Sequence, residues 1–230
     1  MLLVFDLDGT LVDTNRDLIP ALNHAIADEE VEPIGVDEVG HVVGQGARAM
    51  IERAFELRGR DVPRERMDAL HATFLDHYEA HIADLSRPYP GLLPALDTLR
   101  GDGWRFAVCT NKSERLANLL LEALDIADRF VAVTGGDTFA HRKPDPAHVL
   151  DTIQRACGEP QTSIMVGDSV NDILAAQRAG IRSVVVDFGY SDRPVAELGA
   201  DRLISGYDEL VPAVRALSSP SLDRDRPAAI

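Results

Sequence analysis

Two aspartates one residue apart, Asp6 and Asp8, directly follow an apolar run at the start of the chain, residues 1–5. The run is too short to span a membrane and is typical of a buried strand in a parallel sheet. Open α/β sheets bind their ligands at the carboxyl ends of strands, where both carboxylates would lie. Two carboxylates about 4 Å apart repel by roughly 4 kcal/mol at an effective dielectric constant of 20. We therefore expect a cation or a shared proton beside them.

Other polar side chains stand at or after the predicted ends of later strands. They are Thr110, Asn111, Lys143, Asp168 and Asp172. Because the carboxyl ends of parallel strands meet at one edge of a sheet, we expect these groups to lie together. Carboxylate oxygens are ligands that Mg²⁺ prefers, whereas an ammonium and a hydroxyl suit an anion such as phosphate. The sequence therefore predicts a magnesium site beside a phosphate site.

The elements that would position these residues alternate regularly. Four further segments have the short apolar or β-branched pattern of a buried strand: Arg105–Cys109, Phe130–Val133, Ser163–Val166 and Ser183–Val186. Helical patterns lie between them, at residues 92–99, 113–124, 146–157 and 172–179. This alternation predicts an α/β fold, a doubly wound parallel sheet with a Rossmann-like core.

One stretch interrupts the alternation. Between residues 14 and 82 no strand pattern appears, and helical patterns run over residues 16–27, 47–57 and 64–81. A long crossover is one explanation, but three helices exceed what a crossover needs. We predict a small helical domain, residues 14–87, inserted into a core made of residues 1–13 and 88–217. The Ser-, Pro-, Asp- and Arg-rich residues 218–230 are predicted to be disordered.

Composition narrows the class of partner and the compartment. The 230 residues are 45% hydrophobic and carry a formal net charge of -15, which argues against nucleic acid and anionic membranes but not against a small anionic substrate. Cys109 and Cys157 form no disulfide framework, and we expect both thiols to be buried in a reducing compartment. Because no secretory signal pattern is present, we predict that the protein is cytoplasmic. The predicted assembly is a monomer or homodimer.

The polar groups fall into four motifs in a fixed order. Asp6–Thr14 reads DLDGTLVDT, and it is followed by Thr110-Asn111, Lys143-Pro144 and Gly167–Asp172, which reads GDSVND. In order and spacing they resemble the four motifs of the haloacid dehalogenase superfamily, over nearly the whole chain to about residue 215. The dehalogenase branch lacks an acid at the position of Asp8, so the resemblance implies phosphate chemistry.

The resemblance implies a role for each carboxylate. Asp6 would attack phosphorus to give an aspartyl-phosphate, and Asp8 would protonate the leaving alcohol and later deprotonate water. Asp168 would bind Mg²⁺ directly, together with Asp6 and the backbone carbonyl of Asp8. Asp172 would bind the ion directly or lie just beyond its ligands, where it orients Lys143.

The phosphoryl oxygens would be held by a second group of residues. The resemblance implies that Thr110, the backbone N–H of Asn111 and Lys143 contact them.

The helical insert occupies the position of the superfamily's helical cap, which implies a small phosphorylated metabolite as substrate. At a predicted helix start in this cap, glycines including Gly46 expose N–H groups suited to an anion, and Arg48 could pair with a carboxylate. An ordinary glycine-rich helix entry with a solvated arginine is the alternative.

The cap segment and the overall layout resemble phosphoglycolate phosphatases, which implies 2-phosphoglycolate as the substrate. Three alternatives stay open. They are a β-phosphoglucomutase-like phosphomutase, a phosphatase of another sugar phosphate or a nucleotide, and a non-enzymatic phospho-receiver domain.

Overall fold

The computed structural model describes residues 1–191 and 193–219. Its strands, in chain order, are β1 (Leu2–Phe5), β2 (Val12–Asp13), β3 (Arg87–Pro88), β4 (Arg105–Cys109), β5 (Ala132–Thr134), β6 (Ser163–Gly167), β7 (Arg182–Val186) and β8 (Arg202–Ile204). Its α-helices are α1 (Asn15–Ile26), α2 (Val36–Val39), α3 (Ala47–Glu56), α4 (Arg64–Ala80), α5 (Leu92–Gly101), α6 (Glu114–Ala123), α7 (Pro146–Arg155), α8 (Val170–Arg178) and α9 (Leu210–Ser218).

Six strands form one parallel sheet in the order β5-β4-β1-β6-β7-β8. Side chains of β1 alternate between the two faces: Leu3 and Phe5 pack in a cluster with α5, α6 and α9, whereas Leu2 and Val4 pack in a cluster with α7 and α8. A strand that is buried on both faces needs a continuous apolar run, and β1 has one. The predicted doubly wound parallel sheet is confirmed.

Two strands of the sheet differ from the sequence prediction by more than one residue. The strand predicted at residues 130–133 is Ala132–Thr134, because the Phe130 N–H closes a 3₁₀ turn onto Ala127 O and the strand can begin only later. Strand β8 was not predicted: it lies at the sheet edge, and only Ile204 of its three residues is buried, so it has no apolar pattern.

The insert between β2 and β3 is helical, as predicted, and has an apolar cluster of its own. Buried side chains of α1, α3 and α4 make up most of this cluster, among them Leu22, Phe55 and Phe74. The two connections to the sheet run side by side as the antiparallel pair β2 and β3. The predicted boundaries, after residues 13 and 87, fall on this pair. The division into two domains stays a prediction.

The carboxylate of Asp17, in the first turn of α1, fastens the returning connection. It accepts hydrogen bonds from Leu85 N at 3.0 Å, from Ser86 N at 2.7 Å and from Ser86 Oγ at 2.6 Å. Because Asp17 is buried, these bonds stabilise its charge and hold the two connections together.

Several further expectations have an outcome here. Cys109 is buried in β4, but Cys157 is exposed at a turn after α7, so the expectation of two buried thiols was wrong for Cys157. Ser218 is the last residue of α9, while residues 220–230 of the predicted disordered tail lie outside the described residues. Among the described helices, none has both the length and the apolar character that crossing a membrane requires.

Candidate active site

Three buried carboxylates meet at the carboxyl edge of the sheet. Asp6 follows β1, Asp168 follows the neighbouring strand β6, and Asp172 lies in the first turn of α8. One oxygen from each lies within 4.8 Å of the others. Adjacency of β1 and β6 brings Asp6 and Asp168 together, since Phe5 pairs with Val166 in register. The sequence predicted this grouping, and the structure has it.

Close backbone packing holds the Asp168 carboxylate in place. A Cβ on Gly189 would lie 2.3 Å from Asp168 Cβ, and Gly9, with φ of +79°, would place one 2.6 Å from Asp168 Oδ2. Both positions therefore require glycine. The carboxylate itself accepts hydrogen bonds from Thr10 Oγ1 at 2.8 Å and from Tyr190 N at 2.7 Å.

Lys143 supplies positive charge to two of the three carboxylates. Its buried Nζ lies 2.9 Å from Asp6 Oδ1 and 2.6 Å from Asp172 Oδ1. The Lys143–Pro144 peptide bond is cis. The lysine backbone is held by two bonds: its N–H donates to His148 Nδ1 at 3.2 Å, and its carbonyl accepts from Asn111 Nδ2 at 3.0 Å.

One lysine does not compensate three buried carboxylates. Burial raises the pKa of Asp6 to about 6, although Lys143 opposes the shift, and burial together with Asp172 and Asp6 raises the pKa of Asp168 to about 8. Asp6 therefore stays mostly ionised at neutral pH, while Asp168 has no ion pair with a cationic side chain among the described residues. A cluster of hard oxygens with excess negative charge fits a divalent cation such as Mg²⁺.

Asp8 lies beside this cluster but is not part of it, and its carboxylate forms a separate ion pair. Lys112 Nζ lies 3.0 Å from Asp8 Oδ1 and 3.2 Å from Asp8 Oδ2, and both side chains are more than nine-tenths buried. The same ammonium lies 4.5 Å from the centroid of the Tyr78 ring, in α4.

Lys112 is a candidate site residue that motif reasoning missed. A compositional signal was available: of the 23 lysine and arginine residues only two are lysines, Lys112 and Lys143, and both are buried at this site. A compact ammonium at only these positions, among arginines elsewhere, distinguishes them.

A cavity of about 270 Å³ separates the sheet edge from the helical insert. Asp6, Asp8 and Thr110 line it from the core side, and Gly46 and Arg48 line it from the insert. All the sequence-predicted site residues thus lie on this cavity or on the carboxylate cluster beside it.

The predicted cap residues are arranged as follows. Gly46 precedes α3 with φ of +96°, as expected at a helix entry. The Arg48 side chain is half exposed and is paired with Asp68, with Nη2 and Oδ1 2.6 Å apart. Asn111 on the core side also reaches the insert, since its Nδ2 donates to Gly44 O at 3.3 Å.

Comparison with known proteins decides the family. The family model for haloacid dehalogenase-like hydrolases matches residues 3–186. The chain belongs to the haloacid dehalogenase-like hydrolase family. The match contains all four motifs and the helical insert, so the family resemblance drawn from the motifs is confirmed.

Individual members of the haloacid dehalogenase-like hydrolase family are similar over nearly the full chain. A phosphoglycolate phosphatase of Agrobacterium fabrum is 52% identical over 93% of this chain and 91% of its own length. One from Mesorhizobium japonicum is 47% identical over 91% and 92%. The crystal structure of a predicted phosphoglycolate phosphatase from Haemophilus somnus superposes with a TM-score of 0.86 at 29% identity, over 92% of this chain and 96% of the other.

Proposed function

We propose that this hydrolase is a magnesium-dependent phosphatase whose substrate is 2-phosphoglycolate. The observation that carries the proposal is the 52% identity, over more than nine-tenths of both chains, to a protein named phosphoglycolate phosphatase. The site supports it as well, because the cavity of about 270 Å³ is of a size for a small metabolite and has two carboxylates and a lysine on its core side.

The proposed reaction has two steps on the core carboxylates. Asp6 attacks phosphorus, so that a bond forms between its carboxylate oxygen and phosphorus while the bond from phosphorus to the glycolate oxygen breaks. In the substrate complex Asp8 must carry a proton, which it gives to the leaving oxygen. Asp8 then takes a proton from a water that attacks the aspartyl-phosphate, which releases phosphate and restores Asp6.

Asp6 needs no base, because it is mostly ionised at neutral pH even with its pKa raised to about 6 by burial. Lys143, 2.9 Å from Asp6, offsets charge on both the carboxylate and an incoming phosphoryl group. We propose that Thr110 and the backbone N–H of Asn111 also bind phosphoryl oxygens.

The residues present fit Mg²⁺. Asp6, Asp168 and the backbone carbonyl of Asp8 would hold it, and Asp172 would bind it directly or orient Lys143, to which it lies 2.6 Å away. When bound, Mg²⁺ supplies the positive charge that lets a phosphate approach three carboxylates.

We propose that residues 14–87 act as a cap that excludes water from the cavity, with Gly46 and Arg48 as contacts to the substrate. The proposed compartment is the cytoplasm, and the proposed assembly is a monomer or homodimer. Family membership, together with the position of Asp6 after the first strand, argues against the phospho-receiver alternative.

A phosphate-release screen over small phosphorylated metabolites, with and without Mg²⁺, tests the proposal. We expect the highest kcat/KM for 2-phosphoglycolate and no release without Mg²⁺. A higher kcat/KM for another sugar phosphate or a nucleotide would replace the substrate. Formation of an isomer from a sugar phosphate, without net phosphate release, would favour the phosphomutase.

A further inference from the structure

Lys112 is a charged side chain placed where core and insert meet. Its backbone follows β4 and is fixed by tight packing, since Gly136 N donates to Lys112 O at 2.8 Å and a Cβ on Gly135 would lie 2.6 Å from the same oxygen. Its ammonium lies between Asp8 of the core and the Tyr78 ring of the insert, and the residue lines the cavity.

The other arginines and lysines lining this cavity are differently placed. Arg48 and Arg142 are exposed, and Arg48 is already paired with Asp68. Because solvent screens charges on exposed side chains, an anion gains less from them than from a cation held away from water. Among these cavity-lining residues, Lys112 is the one whose charge is both buried and next to Asp8.

Tyr78 of the insert is the second wall of this space. Its side chain is buried, its ring centroid lies 4.5 Å from the Lys112 ammonium, and the residue lines the cavity. Tyr78 and Lys112 thus stand side by side at the cavity wall, one from the insert and one from the core.

The length of the proposed substrate restricts where its second anionic group can bind. In phosphoglycolate four bonds of about 1.5 Å separate phosphorus from a carboxylate oxygen, a span of at most about 5 Å. With phosphorus at Asp6, the carboxylate must fall close to groups that neighbour the Asp6–Asp8 turn. Lys112, 3.0 Å from Asp8, is such a group.

We propose that Lys112 and Tyr78 form the subsite that binds the carboxylate of the substrate, and so determine its specificity; the proposal rests on the proposed phosphatase function. Both carboxylate oxygens of Asp8 contact the Lys112 ammonium and hold it in position. An ammonium has three N–H groups, so a further one can bind the substrate. The ammonium then lies between the oxygens of Asp8 and the carboxylate of the substrate, a favourable arrangement.

Electrostatics keep Lys112 charged in this buried position. Burial lowers the pKa of its ammonium, but attraction to Asp8 and contact with Tyr78 outweigh the effect, so the pKa is raised overall.

Kinetics with matched substrates test the subsite. Phosphoglycolate and phosphoglycolamide differ only in that a neutral amide replaces the carboxylate. If Lys112→Met slows the reaction by removing the ion-pair partner of Asp8, the rates of both substrates fall alike. We expect the ratio of their kcat/KM values to fall by roughly 10- to 100-fold in Lys112→Met, the range for a hydrogen bond to a charged group. Lys112→Arg should retain part of the preference, and Arg142→Met, which removes an exposed cation from the same cavity, should change the ratio by less than about threefold.

Because the chain has only two lysines, NMR of ¹⁵N- and ¹³C-labelled lysine side chains in the native protein shows the contact directly. The probes are 3-phosphonopropionate, in which a methylene replaces the bridging oxygen of phosphoglycolate, and propylphosphonate, which lacks the carboxylate. Both should shift the Lys143 signals, and only 3-phosphonopropionate should shift those of Lys112. Lys112→Arg assigns the two sets of signals.

Two results would overturn the subsite: an unchanged substrate ratio in a folded Lys112→Met variant, or equal Lys112 shifts with both phosphonates. Failure of the native enzyme to hydrolyse phosphoglycolate would instead overturn the proposed function. The NMR comparison uses the native protein and needs no turnover, so the two failures are distinguishable.

Discussion

Replacing Lys143 by methionine should destabilise the protein in a way that Mg²⁺ partly reverses. The Lys143 side chain is 1% exposed and forms ion pairs with Asp6 and Asp172. Removal of its ammonium therefore leaves two buried carboxylates without their cation. Removing one partner of a buried ion pair costs about 3–5 kcal/mol. For a chain of this size each kcal/mol lowers Tm by roughly 2–4 °C, which gives a decrease of about 6–20 °C.

Thermal unfolding in EDTA and in Mg²⁺ measures this effect. In the variant the carboxylates hold more net negative charge, so Mg²⁺ should raise Tm more than it does in the native protein. Arg215→Met is the matched control, because Arg215 pairs with Asp102 at the surface and its loss should cost no more than about 1 kcal/mol. A Lys143→Met variant with the Tm of the control, or one that Mg²⁺ stabilises less than the native protein, would refute the reasoning.

Three further perturbations test other parts of the site. The first concerns Asp168, whose pKa is raised to about 8. In EDTA its protonation contributes stability that is fully present below the usual pKa of 3.8 and is lost as pH rises through about 8. The Tm of the native protein should therefore fall between about pH 6 and 8.5 by more than the Tm of Asp168→Asn. Equal slopes in the two proteins would contradict this. Gly189→Ala should weaken Mg²⁺ binding at least tenfold, measured by calorimetry, because its Cβ would lie 2.3 Å from Asp168 Cβ; unchanged affinity would show that the loop moves freely. Tyr190→Phe should lower the free energy of unfolding by about 1–3 kcal/mol in urea, since its hydroxyl bonds to Asp13 Oδ1 and Asn15 N at the connection to the insert. A change below about 0.5 kcal/mol would mean that these bonds contribute little.

The fold was largely predictable where the apolar pattern is strong. Strand β4 lies at the predicted residues, and β6 and β7 differ from the prediction by one residue, because a central strand buried on both faces must be apolar throughout. Strand β8 and helix α9 were not predicted. The edge strand has only Ile204 buried and so lacks the apolar pattern of a strand, and α9 follows it after the 3₁₀ turn Tyr207–Glu209.

The site was predictable to the extent that each residue stands at a strand end. That rule brings Asp6 and Asp168 together, because parallel strands bring their carboxyl ends to one edge. Lys143 reaches them from the loop between β5 and α7. The rule did not predict the pair of Asp8 and Lys112, because Lys112 lies three residues beyond the end of β4 and the direction of its side chain is set by tertiary packing. Nor could it predict that Asp68 pairs with Arg48, since that contact depends on how two insert helices pack.

Phosphate release from 2-phosphoglycolate, compared between the native protein and Asp6→Asn in the presence of Mg²⁺, tests the central claim most directly. Asn is nearly the same size as Asp, so the variant should fold, and its unfolding curve confirms that before the assay. We predict steady multiple-turnover release by the native protein and release at the uncatalysed background by Asp6→Asn. Absence of release by the folded native protein, or undiminished release by the variant, would contradict the account.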